Sequence, residues 1–367
     1  MKQKNRVSII AFYLPQYHPT PNNDKWWGEN FTEWTNVKKA KPLFKGHQQP
    51  KEPAEEIGYY DLRDTLARKK QADLAKEAGV SAFCYYHYWF GDGKRELELP
   101  FNEVLESNEP DFSFCLCWAN ESWYSKLWNK DGTSDNTLLV EQKYLDIEEY
   151  KRHFYALLPA FKDSRYLRKD CKPIFMIYKP LLFEDVKGFI DVWNKLAKEN
   201  EMEGIYFIGQ TAWDEEIDLI LNKGFSAVNI VRLYQIHKNQ SILKKIKRRI
   251  TNVWLAKPFV YSYEKAIRSF IGESEKKENI YPSIIPNWDH TPRSKTGGFV
   301  LQGSTPELFR KHVKSILKII RHKPKNDQIV FLKSWNEWGE GNYLEPDKRY
   351  GKSYINVLNE ELSNDQN

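Results

Sequence analysis

The stretch that decides the fold is Ile329-Val330-Phe331-Leu332, followed after Lys333 by Ser334-Trp335-Asn336-Glu337-Trp338-Gly339-Glu340-Gly341. A short, continuously apolar run is typical of a parallel strand covered on both faces. Two carboxylates then lie three residues apart between indoles and glycines, where unpaired charges rarely persist unless a function requires them. The pattern predicts a buried strand that ends in a functional loop. The alternative is an exposed charged turn after an edge strand.

Similar apolar runs recur along the chain, with room for helices between them. The predicted strands are 7–13, 80–86, 112–118, 173–178, 205–210, 227–231, 280–285 and 329–334. Amphipathic helices are predicted at 62–78, 146–161, 183–200 and 306–322. Eight strands alternating with helices predict an α/β fold, a (β/α)8 TIM barrel. A doubly wound open sheet is the alternative, but it usually has a glycine-rich phosphate turn where this chain has Leu14-Pro15-Gln16-Tyr17.

The chain is expected to form one catalytic barrel domain over residues 1–360, with a disordered tail at 361–367. Barrels of this type often occupy such a length as a single domain. Long insertions are expected after the first strand, at 18–60, and after the sixth, at 234–279. Long ordered loops on a barrel usually shape access to the substrate.

Composition restricts the class of ligand. The 13 Trp, 21 Tyr and 20 Phe make aromatic residues 15% of the chain, which favours a binding surface rich in ring faces. A net charge of +6 is modest for 367 residues and does not indicate a nucleic-acid partner. The four cysteines match neither a zinc ribbon nor a CxxC redox pair, so buried reduced thiols in a cytoplasmic protein are expected.

The chain begins with basic residues and a short apolar stretch, as a signal peptide would. Because this stretch is short and lacks a small-residue cleavage site, we interpret it as the first strand. The sequence contains no run of about 18 apolar residues, so no membrane span is predicted. The expected location is cytoplasmic. In 237–257, apolar residues recur at helical spacing between lysines and arginines. This segment is either a solvated helix packing on the barrel or an amphipathic surface that contacts anionic lipid of the inner membrane.

Residues just beyond the C-terminal ends of the strands face the active site of such a barrel. Here these positions combine aromatic, amide and acidic groups, which can stack on sugar rings and hydrogen-bond their hydroxyls. The substrate-binding residues predicted from these positions are Tyr13, Gln16, His18, Tyr86, His87, Trp89, Trp118, Asn120, Glu121, Tyr178, Gln210, Trp288, Asp289, His290, Trp335, Asn336 and Trp338. Each has a structural alternative; a histidine such as His87 is more often structural than catalytic. Their convergence favours a saccharide site.

Glu337 and Glu340 are the candidates for catalysis. Cleavage of a glycosidic bond requires one group to protonate the departing oxygen and another to assist at the anomeric centre or a neighbouring hydroxyl. Two close carboxylates repel each other, so the pKa of one rises, as a general acid requires. Glu121 is either a third acid or a buried hydrogen-bond acceptor.

Metal and phosphate chemistry have less support. The sequence contains no HxxxH or HExxH pair, no P-loop, no Asp-x-Asp pair and no GxSxG elbow. We therefore expect no metal and no cofactor. Asp289-His290 beside Glu337 is the alternative, as a metal site formed in three dimensions.

Four motifs follow one another along the chain: Phe12-Tyr13-Leu14-Pro15-Gln16-Tyr17-His18, Trp27-Gly28-x-x-Phe31-x-Glu33-Trp34, Trp118-Ala119-Asn120-Glu121 and Trp335-Asn336-Glu337-Trp338-x-Glu340-Gly341. Together they resemble the WbsX-type proteins of bacterial O-antigen and capsule gene clusters, which are similar to glycoside hydrolase family 99. The resemblance spans nearly the whole chain and implies a (β/α)8 barrel. Its second motif adds Trp27 and Glu33 to the predicted substrate-binding residues.

The resemblance also implies a reaction, because family 99 hydrolases act on α-mannosides with retention. Glu337 would deprotonate the 2-hydroxyl of the sugar, which then attacks its own anomeric carbon to give a 1,2-anhydro intermediate. Glu340 would act as general acid and then as general base. The implied substrate is an oligosaccharide or polysaccharide in surface-polysaccharide metabolism. The alternatives are a glycosyltransferase with a nucleotide- or lipid-linked donor and a non-catalytic saccharide-binding barrel.

Overall fold

The computed structural model describes residues 7–128, 134–238 and 257–364. Within these ranges, eight parallel strands form a closed barrel. The strands are β1 (Ser8–Tyr13), β2 (Ala82–Trp89), β3 (Phe114–Trp118), β4 (Lys172–Ile177), β5 (Tyr206–Thr211), β6 (Ala227–Ile230), β7 (Ile280–Tyr281 and Ser283–Ile284) and β8 (Ile329–Leu332). Each strand pairs with its successor, and β8 pairs with β1. The predicted (β/α)8 barrel is confirmed.

The barrel closes through β7, which is divided at Pro282. Ile280 pairs with β6, whereas Ser283 and Ile284 pair with β8. Proline has no N–H to give to a neighbouring strand. Its carbonyl still accepts a 3.0 Å hydrogen bond from the Phe331 N–H. The chain therefore changes neighbours at this proline and keeps the barrel closed.

Helices surround the barrel and fill its loops. They are α1 (Pro21–Trp27), α2 (Glu33–Lys39), α3 (Thr65–Ala78), α4 (Leu99–Ser107), α5 (Ile147–Lys162), α6 (Val186–Glu199), α7 (Ile217–Asn222), α8 (Gln235–Lys238), α9 (Tyr263–Ala266), α10 (Thr291–Ser294), α11 (Pro306–Ile320) and α12 (Ser353–Asn364). The helix predicted from 62 begins at Thr65, because the Asp64 side chain accepts from the Leu66 N–H as an N-cap. Within the described residues, no helix is both long and apolar enough to cross a membrane.

Short strands outside the barrel shape its loops, and the sequence analysis missed them. The pairs are Arg95–Glu96 with β2, Trp123–Trp128 with Ser134–Val140, Arg168–Lys169 with β4, Phe259–Ser262 with Phe299–Gln302, and Asn336–Glu337 with Asn342–Tyr343. The last pair is antiparallel and closes the loop that carries the two candidate catalytic acids.

Both expected insertions are present, with α1 and α2 after β1 and with α8 and α9 after β6. The prediction of a disordered tail is wrong for 361–364. These residues belong to α12, where Leu362 is buried in the core, so apolar packing extends the fold beyond 360. Residues 365–367 lie outside the described part. So do residues 239–256, on which the predicted lipid-contacting surface mainly rests.

Side-chain alternation along β2 decides which residues reach the barrel interior. Tyr86 points inward and stacks on Phe12, with 5.6 Å between ring centroids. Its neighbour Tyr85 points outward and packs on Phe101 of α4 at 5.4 Å. This alternation sorts the predicted site residues into those that face the cavity and those that face the helices.

Candidate active site

A cavity of about 440 Å³ opens at the C-terminal end of the barrel. The predicted residues that line it are Gln16, Tyr86, Glu121, Tyr178, Gln210, Trp288, Glu337 and Glu340. They come from loops that follow β1, β3, β7 and β8 and from β2, β5 and the end of β4, so residues distant in sequence meet here. The cavity combines ring faces, amides and carboxylates.

Glu337 and Glu340 lie together in one turn after β8. Glu337 ends the short strand Asn336–Glu337, and the 3-10 turn Trp338–Glu340 follows it. Gly341 ends this turn with φ 51°, in the left-handed region that favours glycine. The turn brings the two carboxyl groups close enough for the Glu340 carboxylate to raise the pKa of Glu337.

Lys333, which directly follows β8, contacts Glu337 from the barrel interior. Its Nζ lies 2.9 Å from Glu337 Oε1 and also donates to the Tyr86 hydroxyl at 2.9 Å. Burial raises the pKa of Glu337 to about 7, helped by the neighbouring Glu340 carboxylate and opposed by the Lys333 ammonium. Glu337 is therefore partly protonated at neutral pH.

Arg293 of α10 holds Glu340. Its Nη1 lies 2.6 Å from Glu340 Oε1, and its Nε lies 2.8 Å from Glu33 Oε1. Burial by itself would raise the pKa of Glu340, but the Arg293 guanidinium and the nearby His290 hold that pKa well below its usual range. In the ligand-free protein the proton that the pair holds below about pH 7 therefore resides on Glu337.

Three predicted residues of β2 and β3 face away from the cavity. His87 Nε2 lies 2.8 Å from His153 Nε2 on α5. The Trp89 indole donates to Glu149 of the same helix at 2.9 Å, and the Trp118 indole donates to the Trp89 carbonyl at 2.9 Å. They anchor α5 to the barrel wall.

Unlike Gln16, three other residues predicted from β1 and its insertion do not line the cavity. The Tyr13 hydroxyl donates to Gln71 Oε1 at 2.7 Å, towards α3. His18 is buried, and its Nδ1 lies 3.0 Å from the Pro15 carbonyl oxygen. Trp27 is 38% exposed at the end of α1. Their contacts stabilise the insertion after β1.

Two predicted amides connect loops to one another. Asn120 donates to the Lys179 carbonyl at 2.9 Å and accepts from the Lys179 N–H at 2.7 Å. Asn336 makes the same reciprocal pair with the backbone of Leu14, at 2.7 and 3.0 Å. Each amide fixes the path of two strand-end loops, so its effect on the cavity is indirect.

The indoles of the last motif lie beneath the turn that carries Glu337 and Glu340. Trp335 and Trp338 are fully buried, and the Trp338 indole donates to Glu345 at 2.6 Å. Glu345 also accepts from Tyr60 at 2.9 Å and from Gln71 at 2.7 Å. This buried network supports the turn from below, and the sequence analysis did not identify Glu345.

Asp289 lies behind the turn. Its oxygens accept from His47 at 2.8 Å, Gln49 at 2.7 Å and the Thr291 hydroxyl at 2.6 Å. His290 Nε2 lies 3.6 Å from Glu340 Oε1. Across the described ranges, no three His, Cys, Asp or Glu side chains gather as a metal site.

The cavity also contains Tyr88, a strand-end residue of β2 that was not among the predicted substrate-binding residues, and Lys333 and Arg293, which were not predicted. Tyr88 lies two residues after Tyr86 on β2, so strand alternation could have identified it. Lys333 stands between the apolar run and the motif, at the strand end. Arg293 had no signal in the sequence, because only the path of the loop after β7 brings it to Glu340.

Comparison with known proteins places this barrel in a family. Residues 9–358 match the model of the family described as Glycosyltransferase WbsX. Two relatives, each named Uncharacterized protein WxcX, come from Xanthomonas campestris pv. campestris strains B100 and ATCC 33913. Each is 31% identical over 361 residues, covering 97% of this chain and 50% of the relative. The chain thus spans about half the length of these relatives.

Solved structures share the fold. The GH99 endo-alpha-mannosidase from Bacteroides thetaiotaomicron has a TM-score of 0.56 at 15% identity, covering 98% of this chain and 97% of that one. A glycoside hydrolase-like protein has a TM-score of 0.57 at 17% identity, covering 97% and 94%. At these identities the similarity shows the barrel fold. Because the family model matches nearly the whole sequence, the chain belongs to the family described as Glycosyltransferase WbsX.

Proposed function

We propose that this protein cleaves or transfers a glycosidic bond of a surface polysaccharide, with retention, and that Glu337 and Glu340 are its catalytic pair. One observation carries the proposal: two neighbouring carboxyl groups, Glu337 and Glu340, lie in a ring-lined cavity at the C-terminal end of a barrel. The endo-α-mannosidase with the same fold acts on an α-mannoside, so α-glycosides are the first class to test.

The reaction needs one proton on the pair at the start. Glu337 takes the proton of the 2-hydroxyl, and O2 attacks C1 of the same sugar. The bond from C1 to the departing oxygen breaks, and that oxygen takes a proton from Glu340. Glu340 then deprotonates water or an acceptor hydroxyl, which attacks C1 and opens the 1,2-anhydro ring, and O2 recovers its proton from Glu337.

The resting protonation is the reverse of these roles, because the proton resides on Glu337 and Arg293 holds Glu340 ionised. We propose that the 2-hydroxyl of the entering substrate donates a hydrogen bond to Glu337, and that the proton of Glu337 passes to Glu340. Lys333, 2.9 Å from Glu337, would then stabilise the carboxylate that remains. Exchanged roles, with Glu337 as the acid, are the alternative that the ligand-free charges favour.

Transfer from a nucleotide- or lipid-linked donor is a second candidate. The Lys179 ammonium lies over the Tyr178 ring, 4.8 Å from its centroid, and lines the cavity with Arg293 and Lys333. No carboxylate in the described part of the chain forms an ion pair with Lys179. A diphosphate leaving group could bind these cations.

Product analysis by mass spectrometry tests the proposal. Wild type and Glu340→Gln are incubated with the surface polysaccharide and its lipid-linked repeat unit, with and without added sugar nucleotides. Shorter oligosaccharides from wild type alone would support hydrolysis. Turnover only with an added donor would support transfer and exclude hydrolysis as the main reaction. Glu148→Gln, on the surface of α5 with a side chain 74% exposed, is the matched control and keeps wild-type activity.

A further inference from the structure

A second cavity, also of about 440 Å³, lies on the opposite side of the turn that carries Glu337 and Glu340. Lys51, Tyr343, Asp347, Arg349 and Tyr350 are among the residues that line it. Its wall is shared with the active site, because the Lys51 ammonium donates to the Gly341 carbonyl at 3.3 Å, one residue after Glu340. A ligand here would contact the back of the turn.

The acidic side chains around this cavity already have hydrogen-bond donors from the protein. Asp289 accepts from His47, Gln49 and Thr291, as described above. Asp347 accepts from the Tyr343 hydroxyl at 2.8 Å and from the Tyr350 N–H at 2.6 Å. Glu52, which also lines the cavity, pairs with Lys348 at 2.8 Å. All three carboxylates therefore already have partners within the protein.

In contrast to these carboxylates, the cations Lys51 and Arg349 contact tyrosine rings. Besides the Gly341 carbonyl, Lys51 Nζ lies over the Tyr343 ring, 5.5 Å from its centroid. The Arg349 guanidinium lies over the Tyr350 ring at 4.7 Å. Neither forms an ion pair with a carboxylate within the described ranges. Burial lowers the pKa of Lys51, the Asp289 and Asp347 carboxylates oppose this shift, and the charge of Arg349 adds to it.

A ligand entering this cavity thus meets hydrogen-bond donors and tyrosine rings. We propose that the cavity binds an oxyanion carried by a sugar, either a uronate carboxylate or a sugar phosphate, with Lys51 and Arg349 as its charged donors. Charge-assisted bonds to an oxyanion are stronger than bonds between neutral groups. The sugar part rests on the proposed carbohydrate function, whereas the oxyanion part does not.

Isothermal titration calorimetry on the whole chain tests this site with glucuronate, glucose 1-phosphate and glucose. We expect both oxyanions to bind at least about tenfold more tightly than glucose. The tighter of the two identifies the source of the oxyanion. Arg349→Gln and Lys51→Met should each weaken oxyanion binding about tenfold. Lys187→Gln on α6, which removes a surface charge paired with Asp191, should leave binding unchanged.

Several outcomes would overturn the inference. These are no binding of either oxyanion, equal binding of glucose, or wild-type affinity in Arg349→Gln. Arg349 is exposed, so its variant keeps the test valid even if Lys51→Met fails to fold. Glu340→Gln should retain glucuronate affinity, since Glu340 lines the active-site cavity and not this one. Loss of affinity in that variant alone would place the ligand in the active cavity instead.

Discussion

Glu33 lies so close to Gly339 that a Cβ on this glycine would be 1.4 Å from Glu33 Oε1. Glu33 is buried and accepts from Arg293, whose guanidinium also holds Glu340. Glu33 of the second sequence motif therefore supports Glu340 of the fourth motif through Arg293. Residue 339 has no room for a side chain, because the carboxylate that orients Arg293 occupies that space.

Gly339→Ala should displace the Glu33 carboxylate and break its bond to Arg293. Overpacking of this kind typically costs about 1–3 kcal/mol. We expect a loss of that size in the free energy of unfolding, measured by urea denaturation, together with a fall in kcat. Gly303→Ala cannot serve as a control, because Gly303 has φ 84°, a conformation in which any side chain is strained. The steric explanation is therefore tested with a double-mutant cycle.

In that cycle, Glu33→Ala removes the side chain that the new methyl group would meet. Gly339→Ala should then cost less stability in the Glu33→Ala background than in wild type, by about 1 kcal/mol or more. Simple additivity of the two changes would contradict the steric explanation.

The roles of the two acids can be separated with substrates that have activated leaving groups. Such a leaving group departs without protonation, so a variant lacking the acid keeps its first step. We expect Glu340→Gln to process an activated aryl glycoside, and Glu337→Gln to lose activity on every substrate. Burst kinetics of aryl release provide the measurement. The opposite pattern would assign the acid to Glu337, as the ligand-free charges favour.

The pH dependence of kcat/KM should report the shared proton. Since the pKa of Glu337 is about 7, the pair loses its proton above neutral pH, and activity should fall on the alkaline side. The Lys333 ammonium lowers that pKa, so Lys333→Gln should move the alkaline limb to higher pH. Lys314→Gln, on the surface of α11, should leave the profile unchanged. If the alkaline midpoint of the Lys333→Gln profile equals that of wild type, the alkaline limb reports a group other than Glu337.

Buried Glu345 should make stability depend on pH. Burial raises its pKa from 4.5 to about 7, so the folded state holds the proton more tightly than the unfolded chain. This contribution is fully present below about pH 4.5 and is lost as pH rises through 7. The glutamine of Glu345→Gln cannot ionise. Between pH 4.5 and 7.5, the free energy of unfolding of this variant should therefore fall by up to about 3 kcal/mol less than that of wild type. Thermal unfolding at several pH values tests this, and equal losses would contradict it.

Much of the fold could be predicted because apolar runs and helical periodicity are local properties. The predicted strand at 329–334 and the helix at 306–322 lie within a few residues of β8 and α11. Strands of a parallel barrel end at the same edge, so the meeting of Glu121, Tyr178 and Glu337 at one cavity followed from their positions after strands.

The orientation of individual side chains was less predictable. His87 and Tyr86 are adjacent, yet only Tyr86 faces the cavity, because neighbours on a strand point to opposite sides. The direction of each alternation depends on how β2 packs against α5. Asn120 and Asn336 looked like ligand-binding amides, but their hydrogen bonds are made with backbone groups from distant loops.

By itself, the sequence determined the barrel, its two insertions and the position of Glu337 and Glu340 after the last strand. Only the tertiary structure decided that Arg293 pairs with Glu340, that Lys333 pairs with Glu337, and that Glu33 lies behind the turn. The reason is physical: strand and helix formation depend on neighbouring residues, whereas the charge state of a carboxylate depends on burial and on ions brought close by the fold.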